Sequence, residues 1–267
     1  MRQGLFFAPF DGLADPILLG ELAALAETSG WDGVFLWDHL LYRDVTNILD
    51  PTVCLAAMAT TTTRVALGTM VTPLARRRPA VVARQAVTLD LLSHGRLVLG
   101  FGLGEDGPKG ELSSFGELTD RVERAGALTE GLEVLTALLS GEPVRHRGAH
   151  YLADDVTFLP TSPRTEGIPI WLASRWPNHA PLRRAARYDG VFTIGLDGPE
   201  DVGPLRDRVA EFGADLEDFD VVCLARPGDD PAPWADAGAT WLLTLLGPYR
   251  LEADEVRAVV AAGPAVP

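Results

Sequence analysis

Cysteine is nearly absent from this chain, with two residues, Cys54 and Cys223, in 267. Two thiols so far apart do not form a disulfide framework, and no paired-cysteine spacing offers a zinc site. A reducing, cytoplasmic setting is the expectation. Long apolar runs are lacking too. No stretch reaches the ~18 apolar residues of a membrane span. The N-terminal MRQGLFFAPFDG is apolar only briefly and stops at Pro9 and Asp11, so it reads as a first strand and not a signal peptide. Positive charge is the third shortage, with a formal net charge of -14. Nucleic acid, which needs a concentrated basic face, is excluded on that ground. The acidity is read as solubility. The one basic cluster, Arg76-Arg77-Arg78, is too short for a nucleic-acid stripe. It reads equally as a phosphate contact or a solvated loop. His39, His94, His146, His150 and His179 stand singly, so no metal site is expected. No G-x-S-x-G elbow supports nucleophilic catalysis.

What the chain does have is alternation. Apolar runs at Gly4–Pro9, Gly33–Trp37, Val65–Val71, Arg96–Phe101, Ile168–Ala173, Gly190–Ile194, Asp220–Ala225 and Thr240–Leu245 read as strands buried on both faces. Helical spacing fills the gaps, at Asp15–Ser29, Pro51–Thr62, Pro79–Ser93, Arg121–Leu139, Pro181–Tyr188, Asp201–Phe212, Ala232–Ala237 and Ala253–Ala262. Asp50-Pro51 is an N-cap followed by proline at the first helical position. Eight βα units in a length near the ~250 residues of one barrel predict an α/β fold, a single (β/α)₈ TIM barrel over residues 1–267. A doubly wound open sheet is the alternative. Two connections are long, 102–120 and 141–167, and HYLADDVTFLP inside the second predicts an extra strand or hairpin.

Barrel chemistry sits where strands end. The second strand ends at Asp38-His39. Histidine is the side chain whose reference pKa lies nearest neutrality, so His39 is a candidate proton donor or acceptor. Its bland alternative is packing against a capping Asp38. The fourth strand runs into LGFGLGE, where Gly100, Gly102 and Gly104 allow close backbone approach to a flat ring or a phosphate. The spacing is not a dinucleotide fingerprint, and simple turn chemistry explains it as well. Glu105 sits at that mouth. The fifth strand gives Ser174, Arg175 and Trp176, the sixth Thr193 and Gly195, and the eighth ends near Gly247-Pro248. Phe7, Phe10, Trp37, Trp176 and Trp241 suggest an apolar organic substrate, although core packing accounts for aromatics too.

The stretch Val65–Glu105 resembles the luciferase-like monooxygenase family. The match rests on G-T-x-V-T-P closing the third strand, the R-x-P helix start, the T-L-D-x-L-S-x-G-R turn and the L-G-x-G-x-G strand end. WDGVFLWDHL, GEPVRHRGAHYL, IPIWLAS and AARYDGVFTIG extend the resemblance over nearly the whole chain. It implies a flavin-type cofactor across the barrel mouth, either reduced FMN supplied by a separate flavin reductase or the deazaflavin coenzyme F420. Reduced FMN with O₂, a monooxygenase acting on a small organic molecule, is the reading taken first. F420-dependent hydride transfer is the alternative, and a non-catalytic flavin-binding barrel the third. The resemblance places the ring against Thr69, Met70 and Val71, with a cis peptide between Met70 and Val71. It puts Gly100, Gly102 and Leu103 near the ring or its chain, and Ser174, Arg175, Thr193 and Gly195 near the phosphate. His39, with Asp38, would stabilise charge or relay a proton, and Glu105 would donate one. A homodimer is expected. The chain departs from the pattern at ASRWP, where relatives carry a Gly-rich turn, and in its compact loop after the fourth strand.

Overall fold

Carboxylates start three of the main helices. The Asp15 side chain accepts from the amides of Ile17 and Leu18 ahead of α1 (Pro16–Thr28). Asp50 accepts from Val53 ahead of α2 (Pro51–Thr61). Asp120 accepts from Val122 and Glu123 ahead of α4 (Arg121–Leu139). Each satisfies amides that have no partner in the first helical turn, worth ~1 kcal/mol apiece. Proline at the first turn of α1, α2 and α3 (Pro79–Leu92) supplies a preset φ where no amide is needed. The remaining helices are α5 (His179–Ala185), α6 (Val202–Glu211), α7 (Ala232–Asp236) and α8 (Ala253–Ala262).

The strands are β1 (Arg2–Phe7), β2 (Gly33–Leu36), β3 (Ala66–Pro73), β4 (Leu97–Gly102), β5 (Val144–Arg147), β6 (Leu152–Val156), β7 (Ile170–Arg175), β8 (Gly190–Ile194), β9 (Asp220–Ala225) and β10 (Trp241–Leu245). The computed structural model describes residues 1–247 and 251–266. Eight strands close a parallel barrel in the order β1-β10-β9-β8-β7-β4-β3-β2, and β5 and β6 pair separately. Closure runs through Gly4↔Gly33 on one side of β1 and Arg2↔Trp241 on the other. The open-sheet alternative is thereby excluded. Of the antiparallel β5–β6 pair, β6 is the extra strand expected in HYLADDVTFLP, and its partner β5 lies ahead of that stretch. All eight barrel strands fall where the apolar runs lie, with no end shifted by more than two residues. Helix α5 begins two residues before the expected Pro181, because Asn178 already holds the extended N-cap conformation. Pro248, expected near the end of the eighth strand, lies outside the described residues.

Two apolar layers hold the barrel. The outer one joins strands to helices, with Leu5, Phe7, Leu67, Phe101, Leu172 and Val191 against Leu22, Met58, Ala83, Leu132 and Leu205. The inner one fills the barrel with Phe6, Phe35, Met70, Val98, Trp171, Phe192, Val222, Trp241 and Leu243. Fully burying one such side chain contributes ~1.5–3 kcal/mol. The large rings fit because facing positions are glycine. A Cβ on Gly33 would meet Phe35 Cε2 at 2.7 Å, and one on Gly190 would meet Trp171 Cδ1 at 2.7 Å. Large against small in a closed interior is the packing a filled barrel demands.

Of the aromatics expected to line a substrate pocket, only Phe10 and Trp37 gather beyond β2. Phe7 belongs to the outer layer and Trp176 packs against it. Trp241 begins β10, where the Arg2 guanidinium covers it at 4.4 Å. That is the end opposite the strands' C-termini, so Trp241 is core packing.

Candidate functional site

At the C-terminal end of β2 the chain leaves the barrel as Trp37-Asp38-His39. Asp38 is 3% exposed and sits among donors. Arg76 Nη2 donates to its Oδ1 at 2.6 Å, and Arg77 Nη2 donates to its Oδ2 at 2.9 Å. Thr72 Oγ1 donates to the same Oδ2 at 2.8 Å. Thr72 has then spent its only proton, so in the 2.9 Å contact between Thr69 and Thr72 the donor is Thr69. Arg76 and Arg77 are therefore neither a solvated loop nor a free phosphate contact. Arg76 ends the 3₁₀ turn Leu74–Arg76 that directly follows β3, and Arg77 caps that turn, which folds both guanidiniums back onto Asp38.

Arg76 has a second carboxylate. Its Nη1 donates to Glu111 Oε1 at 2.6 Å, and its side chain is 3% exposed. Glu111 also accepts from the Leu40 amide at 2.7 Å through Oε1, and meets His39 Nδ1 at 2.8 Å through Oε2. Burial by itself would raise the Glu111 carboxyl. The His39 hydrogen bond and charge, the Leu40 amide and Arg76 outweigh it, and the net shift is downward. Glu111 is thus a carboxylate, able only to accept. Two carboxylates and two guanidiniums form one buried, balanced cluster, and His39 stands at its edge with its side chain 30% exposed.

Loop 103–120 brings Glu111 to this place. The Asp106 carboxylate accepts from the amides of Leu112 and Ser113 at 2.6 and 2.8 Å, which turns the loop back. Arg124 on α4 ties down both loop ends, donating to the carbonyls of Leu103 at 3.1 Å and Thr119 at 2.7 Å. Glu105 in the same loop is exposed. The carboxylate that the structure puts on His39 is therefore Glu111, and neither the adjacent Asp38 nor Glu105. Sequence reasoning missed Glu111 because a glutamate in a Gly-rich loop carries no local signal of burial.

The expected cis peptide between Met70 and Val71 is present. The β3–β4 register shifts between Thr69 and Thr72, and both Met70 and Val71 join the inner layer. Gly100 and Gly102 make room for them. A Cβ on Gly100 would clash with Thr69 O and Met70 Sδ, and one on Gly102 would meet Val71 Cγ2 at 2.5 Å and Ala173 Cβ at 3.2 Å. Leu103 is half-buried just beyond. Ser174 and Thr193 alternate with the inward-facing Ala173 and Ile194, and their hydroxyls bond one another at 2.7 Å, both residues buried. Arg175 is exposed. Gly195 has φ +79, and a Cβ there would meet Arg175 Cγ at 3.5 Å. The structure therefore brings Thr69, Asp38 and His39 into one hydrogen-bonded network with Arg76, Arg77 and Glu111. It groups Met70, Val71, Gly100 and Gly102 at the inner wall, and Ser174, Arg175, Thr193 and Gly195 at the ends of β7 and β8.

Rings surround His39. Tyr42 lies at 4.9 Å between centroids, Trp37 at 5.8 Å and Phe10 at 6.2 Å. The indole Nε1 of Trp37 is buried with no hydrogen-bond partner in the protein. Among the described residues no group of three or more His, Cys, Asp or Glu side chains could hold a metal ion. No helix there is long and apolar enough to cross a membrane.

The "Luciferase-like monooxygenase" family model matches residues 14–230. An F420-dependent glucose-6-phosphate dehydrogenase of Nakamurella multipartita is 34% identical over 218 residues, 78% of this chain and 62% of that protein. One of Beutenbergia cavernae is 37% identical over 236 residues, 84% of this chain and 66% of that protein. The chain thus spans less than two thirds of the length of these relatives. A solved F420-dependent secondary alcohol dehydrogenase in complex with an F420-acetone adduct superposes with a TM-score of 0.78 at 19% identity, covering 99% of both chains. At that identity the superposition speaks for the fold. The family match, over residues 14–230 and so most of the barrel, identifies this chain as a member of the luciferase-like monooxygenase family.

Proposed function

We propose that this protein is an F420-dependent oxidoreductase that transfers a hydride between the deazaflavin coenzyme and a small hydroxyl- or carbonyl-bearing molecule. This replaces the reduced-FMN monooxygenase reading, because the relatives at 34% and 37% identity carry F420-dependent dehydrogenase names. The observation that carries the reading in the structure itself is His39. It is a partly exposed imidazole at a strand end, gripped on one nitrogen by a buried carboxylate.

The residues at the mouth fit such a group. Trp37 Nε1 is a buried donor still lacking an acceptor, and Val71, Ala173 and Ile194 give an apolar wall. Thr69, Met70, Val71 and Leu103 would hold the ring side, with Gly100 and Gly102 behind them as the backbone that lets Met70 and Val71 pack there. Ser174, Arg175, Thr193 and Gly195 would hold the phosphate side, with Arg175 supplying charge. When bound, the coenzyme supplies a two-electron carbon acceptor or donor for hydride. His39 takes the proton that leaves a substrate hydroxyl as its carbon gives up hydride, or returns that proton to a carbonyl oxygen in the reverse direction. Glu111 is accept-only and fixes the ring. Phe10, Trp37 and Tyr42 keep water from the imidazole face.

The test is to titrate the purified protein with F420 and with FMN, following coenzyme fluorescence. Coenzyme reduction is then assayed with a panel of secondary alcohols and sugar phosphates. Saturable F420 binding and substrate-dependent reduction support the reading. Binding of neither coenzyme, or O₂ consumption with reduced FMN alone, overturns it.

A further inference from the structure

We infer that Glu111 is the positioning residue that sets the tautomer of His39, and that the single change Glu111→Gln inverts that tautomer. The pattern of donors around Glu111 dictates this. Oε2 meets His39 Nδ1 at 2.8 Å, and a carboxylate oxygen can only accept, so Nδ1 carries the hydrogen. Nε2 is then the basic nitrogen of the neutral ring. The downward shift of the Glu111 carboxyl supports its ionised, accept-only state.

The other oxygen decides what glutamine would do. Oε1 accepts from two donors that have no alternative role, Arg76 Nη1 at 2.6 Å and the Leu40 amide at 2.7 Å. Arg76 cannot swing away, because its Nη2 is held by Asp38 Oδ1 at 2.6 Å and by the Asp38 carbonyl at 3.0 Å. A glutamine at position 111 must therefore keep its amide oxygen toward Arg76 and Leu40. Its NH₂ then faces His39 Nδ1. A donor facing Nδ1 forces the imidazole to accept there and to carry its hydrogen on Nε2. The same buried shape thus presents a proton acceptor with glutamate and a proton donor with glutamine. Asp38, although adjacent in sequence, plays no part at the ring, since its oxygens are committed to Arg76, Arg77 and Thr72.

The consequence for catalysis rests on the function proposed above. Substrate oxidation needs Nε2 to accept a proton, so Glu111→Gln lowers the oxidative kcat by about 10²-fold or more, the scale of a lost general base. Coenzyme affinity is unchanged. The tautomer itself is read without coenzyme or substrate. Long-range ¹H–¹⁵N correlation spectra of the ¹⁵N-labelled protein are recorded at about pH 8.5, roughly two units above the ~6.5 of free imidazole. Of the five histidines, His39 is assigned by the signals lost in His39→Asn. Nδ1–H in the wild type and Nε2–H in Glu111→Gln are expected. Nε2–H in the wild type, or Nδ1–H retained in Glu111→Gln, overturns the inference. If Glu111→Gln fails to fold, the wild-type spectrum decides alone. A protein that binds no F420 refutes the proposed reaction and leaves the tautomer result standing.

Discussion

Replacing Asp38 by alanine isolates the value of the buried charge cluster. The change removes acceptors for Arg76, Arg77 and Thr72 at once. Arg76 keeps Glu111 at 2.6 Å. Arg77 is left with Asp50 at 3.6 Å, a carboxylate whose side chain is 46% exposed. One positive charge therefore remains without a close buried partner. Breaking a buried pair from one side costs about 3–5 kcal/mol, against a total stability of ~5–15 kcal/mol for a typical domain. The melting temperature should fall by roughly 6–20 °C. Urea unfolding followed by circular dichroism measures the loss by linear extrapolation. Arg145→Ala is the control, because its pair with Asp155 is exposed at both ends, 76% and 57%, and such pairs contribute ~0–1 kcal/mol. A loss below about 1 kcal/mol for Asp38→Ala, equal to the control, would show that water reaches the cluster and that the reasoning fails.

Four further outcomes follow from the same geometry. His39→Asn should lower turnover by about 10²–10⁴-fold with coenzyme affinity unchanged in fluorescence titration, and full activity would remove His39 from the site. Gly100→Ala places a methyl group against the Thr69 carbonyl and Met70 Sδ. It should cost at least ~1–3 kcal/mol in urea unfolding, and a neutral result would contradict the β3–β4 packing. Glu111 titrates lower in the folded chain than its unfolded ~4.3. Its contribution is present above that value and is lost as pH falls through the lower folded pKa. The stability advantage of wild type over Glu111→Gln should therefore shrink on acidification below about pH 4.3, and an advantage that grew there would reverse the sign. Burial pushes the Cys54 thiol up to about 11 and the Cys223 thiol up to about 12. Neither should react with a thiol reagent at neutral pH until the protein unfolds, and native labelling would show an open core.

The sequence by itself determined the barrel and most of its edges. Apolar runs and capping carboxylates are local signals, acting within one strand or one helical turn, and Asp15, Asp50 and Asp120 cap where their positions suggest. The end of the second apolar run located Asp38-His39, and the resemblance located the Met70–Val71 cis bond. The tertiary structure decided what those residues do. Gly100 and Gly102 read as backbone that admits a ligand, yet in the fold Met70 and Val71 take their space. Arg76 and Arg77 read as a basic loop, yet they are folded back onto Asp38. His39 has Asp38 beside it in sequence, but its ring is governed by Glu111, 72 positions away. A covalent neighbour on the chain directs its side chain elsewhere. Only closure of the barrel and the turn of loop 103–120 bring the accepting carboxylate to the imidazole.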